Sequence, residues 1–148
     1  MSPDTNAIPD IIKTLEFDTS PEHVWAAITD PVQLGWWFPD TVEIESMRPG
    51  NRGWFIWEDH GRYRFEVEAI EPHELFAWRW ANDSENELEE TLTTLVEWRV
   101  EARADGGTRL IVRESGFESD EYRAGNDKGW DHELGELVEL LGTAEMSG

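Results

Sequence analysis

Glu114 is the acid best placed to carry chemistry. It follows Leu110 and Val112 at two-residue spacing, so the three share one face of an extended strand. If that face meets the core, the carboxylate points toward the interior with it. A carboxyl in an apolar pocket can serve as a general acid or base. The competing reading is a solvated carboxylate at a strand end, paired with an arginine. At such an end a neutral isostere, Glu114→Gln, is expected to leave fold and ligand binding largely intact. Glu58 and Asp59 sit beside a turn and read as solvated, and the acidic run 85–90 reads as a wet loop.

The other reactive groups offer less. Four histidines are present: His23, His60, His73 and His132. None forms a His-x-x-x-His pair, so no metal site is expected. His132 follows Trp130 by two residues and falls on the far side of a helix from it, where it reads as solvated. No glycine-rich phosphate loop follows a strand, and no Gly-x-Ser-x-Gly elbow occurs. No cofactor is expected.

Aromatic residues give the stronger pattern. Tyr63 and Phe65, Phe76, Trp78 and Trp80, and Val96 and Trp98 each recur at period two. These, with Leu110 and Val112, form a set of inward phases. Trp130 and Leu134 project from a helix that faces them. Phe55 and Trp57 join the set, in a strand whose phase is ambiguous because Trp54 and Ile56 are apolar too. Trp37 and Phe38 close one end. Trp80 and Trp98 are both expected to face the helix. Such a set either fills a core or lines a ligand cavity.

The elements that must hold these side chains follow from local pattern. Residues 11–17 alternate as a strand. Ser20 and Pro21 open a helix that Asp30-Pro31 stops, and a helical turn follows over 31–38. Strands are expected at 41–47, 53–58, 62–70, 75–81, 91–102 and 108–114, with turns at 48–51, 59–61 and 104–107. Over 62–70, Tyr63, Phe65, Val67 and Ala69 take one face. From 121 to 141 the period becomes helical, with Trp130, Leu134, Leu137, Val138 and Leu141 on one stripe. Gly129 and Gly135 are costly in that helix and suggest close approach to a sheet. Gly142 fits its C-terminal cap. The reading is one α+β domain over 11–142, with a flexible arm at 1–10 and a flexible tail at 143–148.

Composition bounds the partners. The chain has 148 residues and a formal net charge of −21, which repels phosphate backbones and anionic lipid. Neither nucleic acid nor membrane is an expected partner, although a basic protein could dock on the acidic surface. There is no cysteine, which excludes thiol chemistry and disulfides. The first residues lack the pattern of a signal peptide, so a cytoplasmic location is expected.

Motif order adds a resemblance. Ser20-Pro21-Glu22-His23-Val24-Trp25 precedes Thr29-Asp30-Pro31 and Leu34-Gly35-Trp36-Trp37. Glu71-Pro72 precedes the strand with Trp78 and Trp80. Gly107-Thr108-Arg109-Leu110 leads to Glu114-Ser115-Gly116-Phe117, then to Gly129-Trp130 with Leu134 and Leu137. Together these resemble the family named after the activator of the 90-kDa heat-shock-protein ATPase, in the START-like (SRPBCC) superfamily. The resemblance implies a helix-grip fold: a curved antiparallel sheet wrapped around a long C-terminal helix, two short helices after the first strand, and a cavity between sheet and helix. It implies no single function. Three stand open: a non-catalytic binder of an apolar or aromatic small molecule, a cyclase or dehydratase-type enzyme using a pocket acid, and a co-chaperone-like interaction module. The eukaryotic co-chaperone carries a further N-terminal domain, for which these residues leave no room.

Overall fold

The computed structural model describes residues 8–142. Seven strands form one curved antiparallel sheet: β1 (Ile11–Phe17), β2 (Thr41–Glu43), β3 (Arg52–Trp57), β4 (Gly61–Glu71), β5 (Leu75–Ala81), β6 (Thr93–Ala102) and β7 (Thr108–Ser115). Their spatial order is β1-β7-β6-β5-β4-β3-β2. Sequential hairpins build the run from β2 to β7, and β1 closes the far edge against β7, with Ile11 opposite Glu114.

Two short helices separate β1 from β2: α1 (Pro21–Thr29) and α2 (Pro31–Trp37). Ser20 caps α1, accepting from the His23 amide at 3.4 Å. Asp30 ends α1 and caps α2, accepting from the Val32 amide at 3.0 Å. With proline in each first turn, both helices start where an N–H has no helical partner to lose. The expected turn at 31–38 is therefore a two-turn helix. β2 is shorter than the expected 41–47 because the chain leaves the edge early. Gly50 donates to the Val67 carbonyl and Val67 donates to that of Asn51, which folds the following loop onto β4.

β4 alternates as expected through Phe65 and Val67, both buried. A register shift between Val67 and Ala69 then changes the phase, and Ile70 packs on the core. The acidic run stays exposed to solvent, as expected, but its carboxylates are paired. It crosses the outer face of the sheet, where Glu85 pairs with Arg62, Glu87 with Arg64, and Glu89 with Arg52. Arg52 hydrogen-bonds the Glu89 carboxyl and holds it down at about 2. Arg62 and Arg64 also lie over the Trp54 ring, which settles the phase of β3: Trp54 faces out and Phe55 faces in.

The last helix, α3 (Asp120–Leu141), lies across the concave face. Ser119 caps it, and Gly142 ends it in the left-handed conformation at φ 66°. Its Trp130 ring stacks on Phe38 and meets Trp80 of β5 and Trp98 of β6. Leu134 and Leu137 extend the buried stripe. The core below is unusually aromatic: Phe55 stacks on Phe65, and Trp78 packs against Phe55, Phe76 and Trp98. Such density leaves few acceptors, and the Trp78 and Trp98 indole N–H groups are buried without one.

Of the expected N-terminal arm, residues 1–7 lie outside the described residues, as does the tail at 143–148. Residues 8–10 are tied down. Ile8 packs on the core, Arg123 donates to the carbonyls of Pro9 and Asp10, and Arg113 pairs with Asp10. No helix among the described residues is long and apolar enough to cross a membrane.

Candidate functional site

A pocket of about 430 Å³ opens between the first half of α3 and the sheet. Phe38 after α2, Trp57 at the end of β3, Tyr63 of β4 and Trp80 of β5 form its aromatic wall. His60 stands in the β3–β4 turn and Asn82 just after β5. From α3 come Tyr122, Gly125, Asn126, Gly129, Trp130, His132 and Glu133. Most of these helical positions recur three or four residues apart, which puts them on one face. The volume is in the range of small-molecule sites.

Gly125 and Gly129 help keep that space open. An added Cβ at either would meet no atom within 4 Å. The same holds at Gly135, so none of these glycines allows close packing of helix on sheet, contrary to the expectation for Gly129 and Gly135. Each costs about 1 kcal/mol against alanine in a helix interior.

Glu114 is fully buried, but it does not line the pocket. It sits behind the wall, and its oxygens are filled. Oε1 accepts from Trp130 Nε1 at 2.8 Å and Asn126 Nδ2 at 3.0 Å. Oε2 accepts from Thr94 Oγ1 at 2.5 Å, Asn126 Nδ2 at 2.9 Å and Trp80 Nε1 at 3.0 Å. Indole and amide nitrogens only donate, so Glu114 is an acceptor at both oxygens. Among the described residues no arginine, lysine or histidine pairs with it, which overturns the reading of a solvated, arginine-paired strand end. It is not poised for proton transfer to a pocket ligand either. Its work is positional: it fixes Trp80, Asn126 and Trp130, three residues that do line the pocket.

The carboxyl that reaches the pocket is Glu133. Its side chain is 15% exposed and its Oε2 is buried with no hydrogen-bond partner. Burial pushes this carboxyl up to about 7, against the Trp57 indole N–H, which favours the charged form; Glu136 and Asp40 add to the rise. Asn82 Oδ1 is likewise buried and unpartnered. Burial also pushes the Tyr122 phenol far above its ordinary range, so it keeps its proton. A smaller recess of about 280 Å³ adjoins the pocket and shares Phe38, Trp57, His60, His132 and Glu133 with it. Asp40, Asp59 and Glu136 line its remaining wall, together with Trp37. No group of histidines and carboxylates with metal-binding geometry occurs among the described residues.

Of the residues expected at the site, the structure brings Phe38, Trp57, Tyr63, Trp80 and Trp130 to the pocket surface. Trp37 borders only the recess. Phe55, Phe65, Phe76, Trp78, Val96, Trp98, Leu110, Val112 and Leu134 are buried in the core beneath. Trp80 and Trp98, expected together, thus part: one borders space and the other is enclosed. Tyr122, Gly125, Asn126, Gly129 and Glu133 escape the sequence reading. Their signal is a polar stripe at helical spacing beside the apolar one, and a search for apolar periodicity passes over it.

A family model described as Activator of Hsp90 ATPase homolog 1-like protein matches residues 18–142. Among solved structures, a protein from Mesorhizobium loti is similar at 22% identity, with a TM-score of 0.78 over 90% of this chain and 96% of that one. The Aha1 dimer from Colwellia psychrerythraea is 21% identical, with a TM-score of 0.74 over 90% and 96%. CalU16 from Micromonospora echinospora is 22% identical, with a TM-score of 0.73 over 93% and 82%. At these identities the likeness shows the fold. A comparison with curated proteins gives no match.

Proposed function

The chain belongs to the Activator of Hsp90 ATPase homolog 1-like family, and from that premise we propose that it binds an apolar or aromatic small molecule without transforming it. One observation carries the reading: an open pocket of about 430 Å³ with an aromatic wall, in a helix whose glycines face nothing. A helix selected only for stability would carry larger residues there. The binding domain spans 11–142, and its setting is the cytoplasm.

The glycines supply the test. Gly129→Leu places a side chain in the open pocket while raising helix propensity. Titration with an apolar fluorescent probe is expected to show saturable binding by the parent and little by this variant, with thermal stability kept or raised. A parent that binds no probe, or a variant that binds as the parent does, overturns the reading.

A second reading, an enzyme of cyclase or dehydratase type, has one observation in its favour. Glu133, with its carboxyl near neutrality at the pocket, has the properties of a general acid or base. Loss of a measured turnover in Glu133→Gln, with ligand binding kept, would replace the first reading with this one.

A further inference from the structure

Part of the hydrogen-bonding capacity of the pocket wall is already spent within the protein. Trp80, Asn126 and Trp130 are potential donors at its surface, yet all three spend their N–H groups on Glu114 behind it. What is left on the lining includes donors on Tyr63, His60 and His132, and two buried acceptor atoms without a partner of their own, Glu133 Oε2 and Asn82 Oδ1; the Trp57 indole already donates to the Glu133 carboxyl. A buried acceptor without a partner is costly, and an occupant that donates removes the cost.

The charge has the same sense. No lysine or arginine lines the pocket or the recess among the described residues. Glu133 belongs to both, and Asp40, Asp59 and Glu136 stand around the recess. A carboxylate or phosphate on the ligand would meet these acids with only His60 and His132 to receive it. The Trp57 ring, which borders both spaces, favours a cation instead. The net charge of −21 enriches cations around the whole molecule.

Resting on the pocket reading above, we propose that the ligand is an aromatic or apolar body bearing a cationic amine, the body in the larger pocket and the amine at Glu133, where the acidic recess begins. Glu133 is then a specificity-determining residue, and anionic aromatic compounds are excluded.

Three probes of matched shape test this: 2-naphthylmethylamine, 2-naphthylmethanol and 2-naphthoate. Each is titrated calorimetrically into the full chain near pH 8, where Glu133 is charged. The amine is expected to bind about tenfold or more tighter than the alcohol, the scale of a hydrogen bond to a charged group, and the carboxylate to bind weakest. Glu133→Gln is expected to bring the amine to the level of the alcohol, so that the ratio of their affinities falls to about one. This variant removes one charge of many, so it separates the local contact from general attraction to an acidic protein. Should Glu133→Gln fail to fold, Glu133→Met reads the same ratio. Equal binding of amine and alcohol, or an amine preference that survives loss of Glu133, overturns the proposal while the apolar pocket stands. If none of the three binds, the pocket reading fails and this one with it.

Discussion

Replacing Glu114 tests whether a buried carboxylate without a cation holds the sheet to α3. In Glu114→Gln one oxygen becomes an amide NH2. At the Oε1 position that group would face the Trp130 N–H at 2.8 Å, donor against donor. At the Oε2 position it meets Thr94, whose hydroxyl can turn to accept; the Trp80 and Asn126 bonds to that position are lost, but Trp80 keeps Thr94 Oγ1 at 2.9 Å and Asn126 keeps Oε1 at 3.0 Å. The amide therefore settles there and retains the Trp130 bond. What is lost is the charge-assisted character of the remaining bonds, about 2 kcal/mol in all. Glu114→Leu leaves the buried Trp130 N–H and Thr94 O–H without acceptors, at about 1–3 kcal/mol each, so its cost is about 2–6 kcal/mol; the half-buried Asn126 amide turns to water. Removing a desolvated charge works in the opposite direction and in some proteins wins. The assay is urea denaturation of parent and both variants, compared at equal slope. The expected order is parent, Gln, Leu, and pocket binding falls with it because Trp80, Asn126 and Trp130 lose their anchor. Glu114→Leu as stable as the parent would refute the reasoning, since burying the charge would then cost more than its hydrogen bonds return. The strand-end expectation for Glu114→Gln, near-neutrality, gives way to this larger effect because the residue is enclosed.

Three further outcomes are expected. Trp98→Ala, in the closed core, should cost about 3–5 kcal/mol, whereas Tyr63→Ala, on the pocket wall, should cost under about 2 kcal/mol and weaken probe binding; equal costs would contradict the division between core and wall. Glu133 is raised in the folded state, so its contribution to stability is fully present below the unfolded value of 4.5 and is lost as pH rises through about 7. Glu133→Gln should flatten that decline, measured by melting between about pH 5 and 8, with Asp40, Asp59, His60, His132 and Glu136 around it unchanged; an unaltered slope would show that other groups set it. At physiological salt no binding to duplex DNA is expected from a chain of charge −21, and a salt-sensitive gel shift at micromolar protein would contradict this.

The fold was legible because its strands alternate and its last helix carries an apolar stripe. Leu110, Val112 and Glu114 declared their common face two residues at a time. Trp98 and Phe65 did the same, and burial followed. What period could not reveal was which inward residues border space and which border other residues. Trp80 and Trp98 have the same phase on paired strands, yet Trp98 is enclosed by Trp37, Trp78 and Trp130 while Trp80 borders the pocket. Glu114 was placed inward correctly, but its partners come from β5, β6 and α3, and no local pattern names them. The acidic run 85–90 was legible as exposed but not as paired. Its charges are matched by arginines on β3 and β4 that are distant in sequence and adjacent across the sheet.

The two halves of α3 are fastened by different means. None of residues 120–129 is fully buried; apart from Tyr122, which packs beside Phe117, they are held by the Ser119 cap, the Asn126 bonds to Glu114, Arg123 on the chain before β1, and Lys13 paired with Asp127. From Trp130 onward the attachment is apolar, through Trp130, Leu134 and Leu137. Polar ties at a surface release at small cost, and the half they hold is the half that covers the pocket. The half of the helix before Trp130 is thus expected to act as a flap that opens first. Amides at 121–129 should exchange with solvent by opening of the flap alone, and those beyond Trp130 only when the sheet itself gives way. An occupant would register first as slowed exchange at 121–129, with the sheet unchanged.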